Sequence, residues 1–514
     1  MKKTLFLIVS FISLQAWCQV PELHQQIDEV TRKAMAAFDV PGIAVAVVKD
    51  GQIIHSQGYG LRSIASKEAV DENTMFGIAS NSKAFTAAAL AILVDQKKLD
   101  WDDKVIQYIP EFKMYNKYVT DEFTIRDLLT HRSGLGLGAG DLMIWPDGHD
   151  FTPQDIVANI QHLKPVSGFR SQYDYDNLLY IIAGIVIERI SHQSWAEFVE
   201  QNIMNPIGMT ASAGNWNRLK NKTNAIVPHV PINGKLTVVP RYTNTIMDAA
   251  GGIYSNINEL SKWVQVQLNE GQIGDRTLFS KTVQHEMWTP QTWIPNRTTA
   301  PYYSLFNAYG LGWQLTDVAG TLQVSHTGGL EGIVTQITLL PQQKLGIIVL
   351  TNQQSGAAFQ SITNTIKNYY LKLPYQDFVV EYQNRVQQNN IEAKEIVNKI
   401  WTTVENNKKA ATSVIALNQL IGNYKDAWFG EVSIYKKKSK WVFESKRSPE
   451  LSGEIHFYQD QTFVVKWYNE SLDADAFIKW NVKDGRIEFF EMEPISPLTD
   501  FSYDFQDLHF TPSI

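Results

Sequence analysis

The sequence predicts an α+β protein, with strands at both ends of a first domain and helices between them, followed by a small all-β domain. Two apolar runs, 42–48 and 52–54, flank Lys49-Asp50-Gly51, and Asp-Gly between apolar runs is typical of a β-hairpin. Strand patterns return between residues 311 and 350 after a long region of helices and loops. Beyond residue 420, short strand patterns separated by turns predict a small antiparallel sheet or barrel.

Hydrophobic periodicity places the elements of the first domain. An amphipathic helix is expected at residues 22–38, an Ala-rich helix from about Ser80 to Gln96, and a nearly all-apolar helix from Leu178 to Glu188. Strands are expected at 311–315, 322–326, 334–340 and 345–350, and a helix at about 356–371 ends the domain. In the all-β part, strands are expected at 432–434, 441–443, 454–457, 462–465 and 486–490.

Length and composition agree with two well-cored domains. The chain has 514 residues, of which 44% are hydrophobic and 19% charged, which excludes a disordered chain. We expect a first domain at 22–372, a charged helical linker at 373–417 and the β-domain at 418–514. The formal net charge is −7 and no basic stripe is present, so nucleic acid is not an expected partner.

Residues 1–18 predict a secretory signal peptide. A basic start precedes the apolar run Leu5–Leu14, which is too short to span a membrane, and small residues favour cleavage ahead of Gln19. Lipid anchoring at Cys18 is disfavoured because Trp17 stands where a lipobox needs a small residue. We therefore expect a periplasmic or secreted protein with no integral membrane segment after cleavage. Since Cys18 is the only cysteine, the mature chain would hold no disulfide and no thiol nucleophile.

The most informative motif is Ser80-Asn81-Ser82-Lys83, where a loop becomes the Ala-rich helix. A serine and a lysine three apart share one face of a helix. A desolvated lysine can take the proton of a serine hydroxyl and so activate it as a nucleophile. The backbone N–H of Ser80 at a helix start could donate to a developing oxyanion. The alternative is an ordinary helix start with serine caps.

A second copy of the motif, Ser433 to Lys436, lies in a strand pattern. Its two side chains would point to opposite faces of the strand, so we interpret this copy as chance.

Two further motifs could complete a serine–lysine site. Tyr175-Asp176-Asn177 precedes the apolar helix, and a tyrosine near a lysine ammonium could have its pKa lowered towards use as a base. The same Tyr-x-Asn pattern occurs at Tyr242, Tyr254 and Tyr382, and the alternative for Tyr175 is a packed loop tyrosine. His326-Thr327-Gly328-Gly329 could provide a strand edge that a substrate approaches closely, or could be a plain strand-end turn.

Other candidate features have simpler interpretations. His131 has no spaced partner and is read as a structural histidine. The glycine-rich segment Gly136–Gly140 is read as a mobile surface loop and not as a phosphate loop. The sequence contains neither His-Glu-x-x-His nor Gly-x-Ser-x-Gly, so zinc peptidases and typical α/β-hydrolases lose their main support. We expect no metal and no cofactor.

Taken in order, these motifs resemble the serine β-lactamase and penicillin-binding-protein superfamily, on the branch of class C β-lactamases, D-aminopeptidases and esterases. The resemblance covers about residues 22–372. It also includes Val40 to Val47, Thr124 to Leu135, Ala250 to Ser255 and Gly310 to Trp313. It implies an antiparallel sheet flanked by helices, with a mostly helical domain and the site between them. The C-terminal region resembles the lipocalin-like barrel appended to many such hydrolases.

The resemblance implies a role for each motif residue. Ser80 would be the acylated nucleophile, Lys83 its base and Tyr175 the proton shuttle. Asn177 would contact the substrate amide and Lys83. The segment His326, Thr327 and Gly328 would bind substrate, and the backbone N–H groups of Ser80 and Gly329 would form the oxyanion hole.

One departure bears on the substrate. His326 stands where many relatives have the lysine of Lys-Thr-Gly, and a histidine that is mostly uncharged at neutral pH attracts a carboxylate less strongly. The sequence therefore favours a serine hydrolase acting on amide or peptide bonds, with D-amino-acid or cell-wall-type peptides first, then esters, then β-lactams. Two other interpretations stay open. One is a catalytically silent sensor on the same fold, and the other is a barrel that captures a ligand which the hydrolase then processes. The oligomeric state is left open.

Overall fold

A computed structural model describes residues 23–295, 300–410 and 417–513. The predicted signal peptide, including Cys18, lies outside the described residues. The strands ahead of the barrel are β1 (Gly42–Lys49), β2 (Gln52–Gly60), β3 (Phe76–Gly77), β4 (His229–Ile232), β5 (Lys235–Val238), β6 (Tyr254–Ser255), β7 (Gln272–Ile273), β8 (Arg276–Thr277), β9 (Thr292–Trp293), β10 (Asn307–Tyr309), β11 (Gln314–Val318), β12 (Thr321–Leu330), β13 (Ile333–Leu340) and β14 (Leu345–Thr351).

The helices include α1 over residues 23–38. The others are α2 (Ser82–Asp95), α3 (Val105–Tyr108), α4 (Lys117–Glu122), α5 (Ile125–Leu128), α6 (Pro153–Asn159), α7 (Leu178–Ser191), α8 (Trp195–Val199), α9 (Asp248–Gly251), α10 (Ile257–Leu268), α11 (Lys281–Met287), α12 (Gly356–Leu371) and α13 (Phe378–Ala410). In the described part of the chain, no helix is both long enough and apolar enough to cross a membrane.

An antiparallel sheet of eight strands forms the centre of the first domain, in the order β2-β1-β14-β13-β12-β11-β10-β9. Its central strands are buried on both faces, since successive side chains of a strand point to opposite sides. Val45 and Val47 of β1 pack with α1, α12 and the start of α13. Ala44 and Ala46 belong to the core that also contains α2, α7 and α10. These two layers confirm the α+β fold with an antiparallel sheet between helices.

The predicted hairpin and the flanking helices are confirmed. Asp50 and Gly51 both have positive φ, 50° and 77°, as the tight turn between β1 and β2 requires. The apolar helix α7 begins at Leu178 and α12 spans Gly356–Leu371, as periodicity indicates. The Ala-rich helix begins two residues later than expected, at Ser82, because a 3₁₀ turn over Ala79–Asn81 precedes it.

The C-terminal domain is a closed barrel of eight antiparallel strands paired in chain order. They are β15 (Gly422–Asp426), β16 (Gly430–Lys437), β17 (Lys440–Ser445), β18 (Ser452–Gln459), β19 (Thr462–Trp467), β20 (Ala476–Lys483), β21 (Arg486–Pro494) and β22 (His509–Pro512). The sequence pattern missed β15, β20 and β22. Buried aromatic side chains fill the interior, with Phe490 contacting Tyr424, Trp480 and Phe510. Ser433 is buried on β16 whereas Lys436 is exposed, so the second copy of the serine–lysine motif is not a pair.

The two domains are joined by α13 and by direct contacts. The first turns of α13 pack on the sheet layer through Phe378 and Val379, and Val404 near its other end packs on Val464 of the barrel. Arg447 of the barrel forms ion pairs with Asp150 and Asp155 of the first domain.

The segment Gly136–Gly140 corrects the expectation of a mobile surface loop. Gly138, Ala139 and Gly140 are buried. They lie beneath the barrel, where the backbone N–H of Gly140 donates to Asp504 at 2.6 Å. The glycines that suggested an open loop instead allow close packing, since a Cβ on Gly138 would lie 2.6 Å from the carbonyl oxygen of Phe501.

A buried carboxylate holds the helical part of the first domain together. Asp127 is fully buried and pairs with Arg132 and Arg170, while it also caps the start of α5 by accepting from the backbone N–H and the hydroxyl of Thr124. Hydrogen bonds and charge from the two guanidinium groups, together with Thr124, outweigh burial and lower the pKa of Asp127. Such a charge is stable only with its partners in place.

We expect Asp127→Ala to lower the free energy of unfolding by about 3–5 kcal/mol, because two arginines lose a buried partner. Asp121→Ala is the matched control: its ion pair with Lys117 is largely exposed, and such pairs contribute only about 0.5 kcal/mol. Urea unfolding of both variants measures the difference. Equal losses would contradict the structural role of Asp127.

Candidate active site

The predicted nucleophile Ser80 lies on the 3₁₀ turn Ala79–Asn81, between the sheet and the helical region. Ala79 has a φ of +49°, a left-handed conformation that costs free energy for a residue with a side chain. The turn therefore fixes the direction of the Ser80 side chain. That side chain is partly exposed, whereas Ala79 and Asn81 are buried. Ser80 is therefore partly accessible to solvent, and its two buried neighbours support the turn.

Lys83 is fully buried on the first turn of α2. Its Nζ donates to Ser80 Oγ at 3.1 Å, to Asn177 Oδ1 at 2.7 Å and to the carbonyl oxygen of Ala250 at 2.9 Å. The three acceptors come from three separate segments of the chain. The structure thus brings the sequence-predicted serine, lysine and asparagine together at hydrogen-bond distance.

The electrostatics of Lys83 give it a substantial neutral fraction near neutral pH. Burial lowers the pKa of Lys83 to about 7, and the carboxyl groups of Asp141 and Asp176 oppose this shift. Because a lysine must lose its proton before it can accept one from serine, a pKa in this range suits a general base.

Tyr175 lies beside this pair, and its electrostatics correct the sequence-based expectation. Lys83 Nζ is 5.0 Å from the centroid of the Tyr175 ring. The pKa of Tyr175 is nevertheless raised well above its usual range, because burial outweighs a hydrogen bond with Ser80. The expectation of a lowered pKa was wrong since it counted the neighbouring ammonium and not the desolvation. Tyr175 is therefore a neutral phenol that can donate a hydrogen bond to Ser80.

Asn177, at the start of α7, is oriented by a buried carboxyl group. Its Nδ2 donates to Asp141 Oδ2 at 2.8 Å, while its Oδ1 accepts from Lys83. These two contacts fix which end of the amide faces the lysine. Asp141 was not singled out from the sequence, because its segment carried no motif.

His326 is placed at the site but both of its ring nitrogens have protein partners. Nδ1 donates to the carbonyl oxygen of Thr327 at 2.6 Å, so Nε2 accepts from the hydroxyl of Tyr309 at 2.8 Å. Burial, and then the charge of Lys83, lower the pKa of His326 to about 3. The ring is buried and neutral, and in this conformation neither nitrogen is free to contact a substrate.

Strand β12 passes close to Ser80 after its pairing with β11 has ended. Its last pair with β11 joins Ser325 to Gln314, so Thr327, Gly328 and Gly329 lie on an edge that faces the Ser80 turn. A Cβ on Gly328 would lie 2.2 Å from the carbonyl oxygen of Ile78, so only glycine allows this approach. The space around Gly329 is open and its surface is exposed.

His131 and Tyr309 complete the surroundings of Tyr175. The buried His131 ring lies 4.3 Å from Tyr175 and 4.5 Å from Tyr309 between centroids. Its Nδ1 accepts the backbone N–H of Asp176 at 3.1 Å, and this contact fixes the segment that carries Tyr175. Tyr309 could not be found from the sequence, since its only signal is its contact with His326.

Comparison with known proteins identifies the family to which the chain belongs. The model of the Beta-lactamase family matches residues 27–369, and the model named domain of unknown function DUF3471 matches residues 406–512. The chain therefore belongs to the Beta-lactamase family. The pairing of a buried lysine with a serine at the start of a helix is found within the matched region.

Two curated relatives illustrate the similarity. The Unguisins hydrolase ungD' of Aspergillus campestris is 29% identical over 351 residues, covering 66% of this chain and 62% of that protein. Protein flp of Staphylococcus aureus is 27% identical over 348 residues, covering 65% of this chain and 63% of the relative. The match thus spans less than two thirds of the length of either relative.

A solved structure matches across both domains. The octameric penicillin-binding protein homologue from Pyrococcus abyssi has a TM-score of 0.62 and 20% identity, covering 95% of this chain and 99% of that one. At this identity the likeness establishes the fold.

We expect the rate at which a fluorophosphonate phosphonylates Ser80, with loss of fluoride, to rise with pH and to level off above about pH 8. Below the pKa of Lys83, about 7, the ammonium cannot accept the serine proton, so the rate falls about tenfold per pH unit. Lys83→Ala should abolish this dependence together with most of the rate, whereas the control Lys436→Ala should keep the wild-type profile. A wild-type rate that does not change between about pH 5 and pH 9 would contradict Lys83 as the base.

Proposed function

We propose that the chain is a serine hydrolase that works through an acyl-enzyme on Ser80. The observation that carries the proposal is the buried Lys83 amine, held 3.1 Å from Ser80 Oγ with a pKa lowered to about 7. Membership of the Beta-lactamase family and a relative named as a hydrolase support it.

Acylation begins from neutral Lys83, whose two N–H groups donate to Asn177 Oδ1 and to the carbonyl oxygen of Ala250 while its lone pair takes the proton of Ser80. The Ser80 Oγ forms a bond to the carbonyl carbon, and the carbonyl oxygen becomes an oxyanion that the backbone N–H groups of Ser80 and Gly329 stabilise. When this intermediate collapses, the bond to the leaving group breaks. Tyr175, a neutral phenol next to Ser80, passes a proton to the departing amine or alkoxide and is reprotonated through Lys83.

Deacylation reverses the roles of the groups. A water molecule loses a proton to the Tyr175–Lys83 pair and attacks the ester carbon of the acyl-enzyme. The ester bond to Ser80 breaks, the serine oxygen regains its proton and the carboxylic acid product leaves. Asn177 holds Lys83 and offers its amide to the substrate, while Thr327 and Gly328 line the edge along which the substrate lies. His326 acts through Tyr309 and Thr327 and does not contact the substrate itself.

The neutral, fully partnered His326 favours substrates without a carboxylate beside the scissile bond. Amide or peptide bonds come first, and the preferred class is D-amino-acid or cell-wall-type peptides whose scissile bond has no free carboxylate beside it. Esters are the next candidates, and β-lactams follow because their carboxylate would meet no cation at position 326. The predicted signal peptide supports action in the periplasm or outside the cell, with cleavage ahead of Gln19.

A catalytically silent sensor of peptidoglycan or a similar ligand is the alternative from another class. Such a sensor would bind its ligand beside Ser80 but would need no activated serine. The convergence of three acceptors on one buried lysine favours the hydrolase, since a binding site has no use for a costly buried amine.

The decisive experiment is the intact mass of the mature protein after incubation with a fluorophosphonate. We expect one adduct on the wild-type protein and none on Ser80→Ala, because the reagent reports an activated serine. Ser433→Ala, which alters the second copy of the motif, is the matched control and should still react. An adduct on folded Ser80→Ala would refute the assignment, and no adduct on the wild-type protein would favour the silent sensor.

Substrate class is tested with two peptides that end in D-alanyl-D-alanine, one with a free carboxylate and one with a carboxamide. Because position 326 carries no charge, we expect kcat/KM for the carboxamide to equal or exceed that for the free acid. A strong preference for the free acid would contradict the proposal that His326 is neutral and does not bind a substrate carboxylate.

A further inference from the structure

One loop of the C-terminal barrel reaches the candidate active site. It lies between β21 and β22, and its residue Phe501 makes an edge-to-face contact with Tyr175 at 5.8 Å between ring centroids. The backbone of Phe501 also lies against Gly138, whose own N–H donates to the carbonyl oxygen of Tyr175 at 2.8 Å. Residues 501–504, here called the barrel loop, are therefore neighbours of the catalytic segment.

The buried Asp504 of the barrel loop fixes the backbone on both sides of Asp141. Its Oδ2 accepts from the N–H of Gly140 at 2.6 Å, and its Oδ1 accepts from the N–H of Leu142 at 3.0 Å. These donors lie at the start of a single 3₁₀ turn, Asp141–Met143, which has little regular structure of its own to hold it. The glycine-rich segment ahead of it offers few side chains for anchoring, so the barrel supplies the anchor.

Ser502 links the barrel to the predicted base, Lys83, through a chain of hydrogen bonds. Its hydroxyl donates to Asp141 Oδ2 at 3.0 Å, and the same oxygen accepts from Asn177 Nδ2 at 2.8 Å. Asn177 Oδ1 in turn accepts from Lys83 at 2.7 Å. Three hydrogen bonds in series therefore join a side chain of the barrel to the amine that activates Ser80.

Asp141 depends on these contacts for its orientation. It is fully buried, and its other oxygen, Oδ1, has no hydrogen-bond partner among the described residues. Ser502 and Asn177 are thus the side chains that set the direction of its carboxyl group. Without the Ser502 hydroxyl, one contact would remain and the carboxyl group could rotate away from Asn177.

We infer that the barrel is a working part of the active site, and that Ser502 is a positioning residue for Asn177 and Lys83. The inference rests on the proposed acyl-enzyme function and gives a role to a domain that the family model leaves without one. Ser502 acts through Asp141 and does not touch the substrate. Because a fluorophosphonate has no amide for Asn177 to contact, loss of Ser502 should slow the reaction of this probe with Ser80 and leave its binding unchanged.

The test compares Ser502→Ala with Ser502→Thr and with Ser439→Ala. Threonine keeps the hydroxyl, and Ser439 is an exposed serine in the turn between β16 and β17, so its loss controls for a serine-to-alanine change in the barrel. The readouts are the first-order rate at which a saturating fluorophosphonate phosphonylates Ser80, the concentration giving half that rate, and the thermal unfolding midpoint.

We expect Ser502→Ala to be phosphonylated about tenfold more slowly, with the half-saturating concentration and the unfolding midpoint unchanged. Ser502→Thr should recover most of the rate, and Ser439→Ala should match the wild-type protein. A Ser502→Ala rate equal to that of Ser439→Ala, or an equal loss in Ser502→Thr, overturns the inference and leaves the proposed function standing. No adduct on the wild-type protein overturns the proposed function and this inference with it.

Discussion

The burial of one amine, that of Lys83, is the constraint on which the rest of the site depends. A lysine removed from water must give its hydrogen bonds to protein oxygens, and here these come from the Ser80 turn, from Asn177 ahead of α7 and from the carbonyl of Ala250 in α9. Three segments far apart in the sequence must converge within hydrogen-bond distance. The same burial that requires this convergence also lowers the pKa of the amine, which suits its proposed role as a base.

The neutral state of His326 changes the charge balance around that amine. A cation in its place would add repulsion and lower the pKa of Lys83 further, whereas a neutral ring leaves burial opposed only by the carboxyl groups of Asp141 and Asp176. The hydrogen bond from Tyr309 to His326 keeps the ring in the tautomer that donates to Thr327. His326 therefore offers no charge to a substrate carboxylate, and its hydrogen bonds with Thr327 and Tyr309 hold the strand edge beside Ser80 in place.

Local pattern was sufficient to predict the elements that carry the motifs, but not the contacts between them. The apolar periodicity of α2 and α7 and the Asp50-Gly51 turn are local signals, and the structure has them at the expected places. Asp141 and the Gly136–Gly140 segment take their roles from the barrel, some 360 residues away in the sequence. The raised pKa of Tyr175 depends likewise on burial, a property of the packed molecule that no short motif encodes.

The interface between the domains explains why removing the Ser502 hydroxyl tests the role of the barrel better than deleting the whole barrel does. Phe151 of the first domain contacts the Phe429 ring and lies under the guanidinium of Arg447, both from the barrel. The side-chain amide of Asn159 donates to the carbonyl oxygen of Trp428. Removing residues 418–514 would therefore expose apolar surface and leave buried polar groups without partners, and lost activity would then report on stability. Ser502 lies at the end of this interface nearest the proposed base, Lys83, so its hydroxyl can be removed with the rest of the packing in place. The change in the rate of Ser80 phosphonylation then reports on positioning.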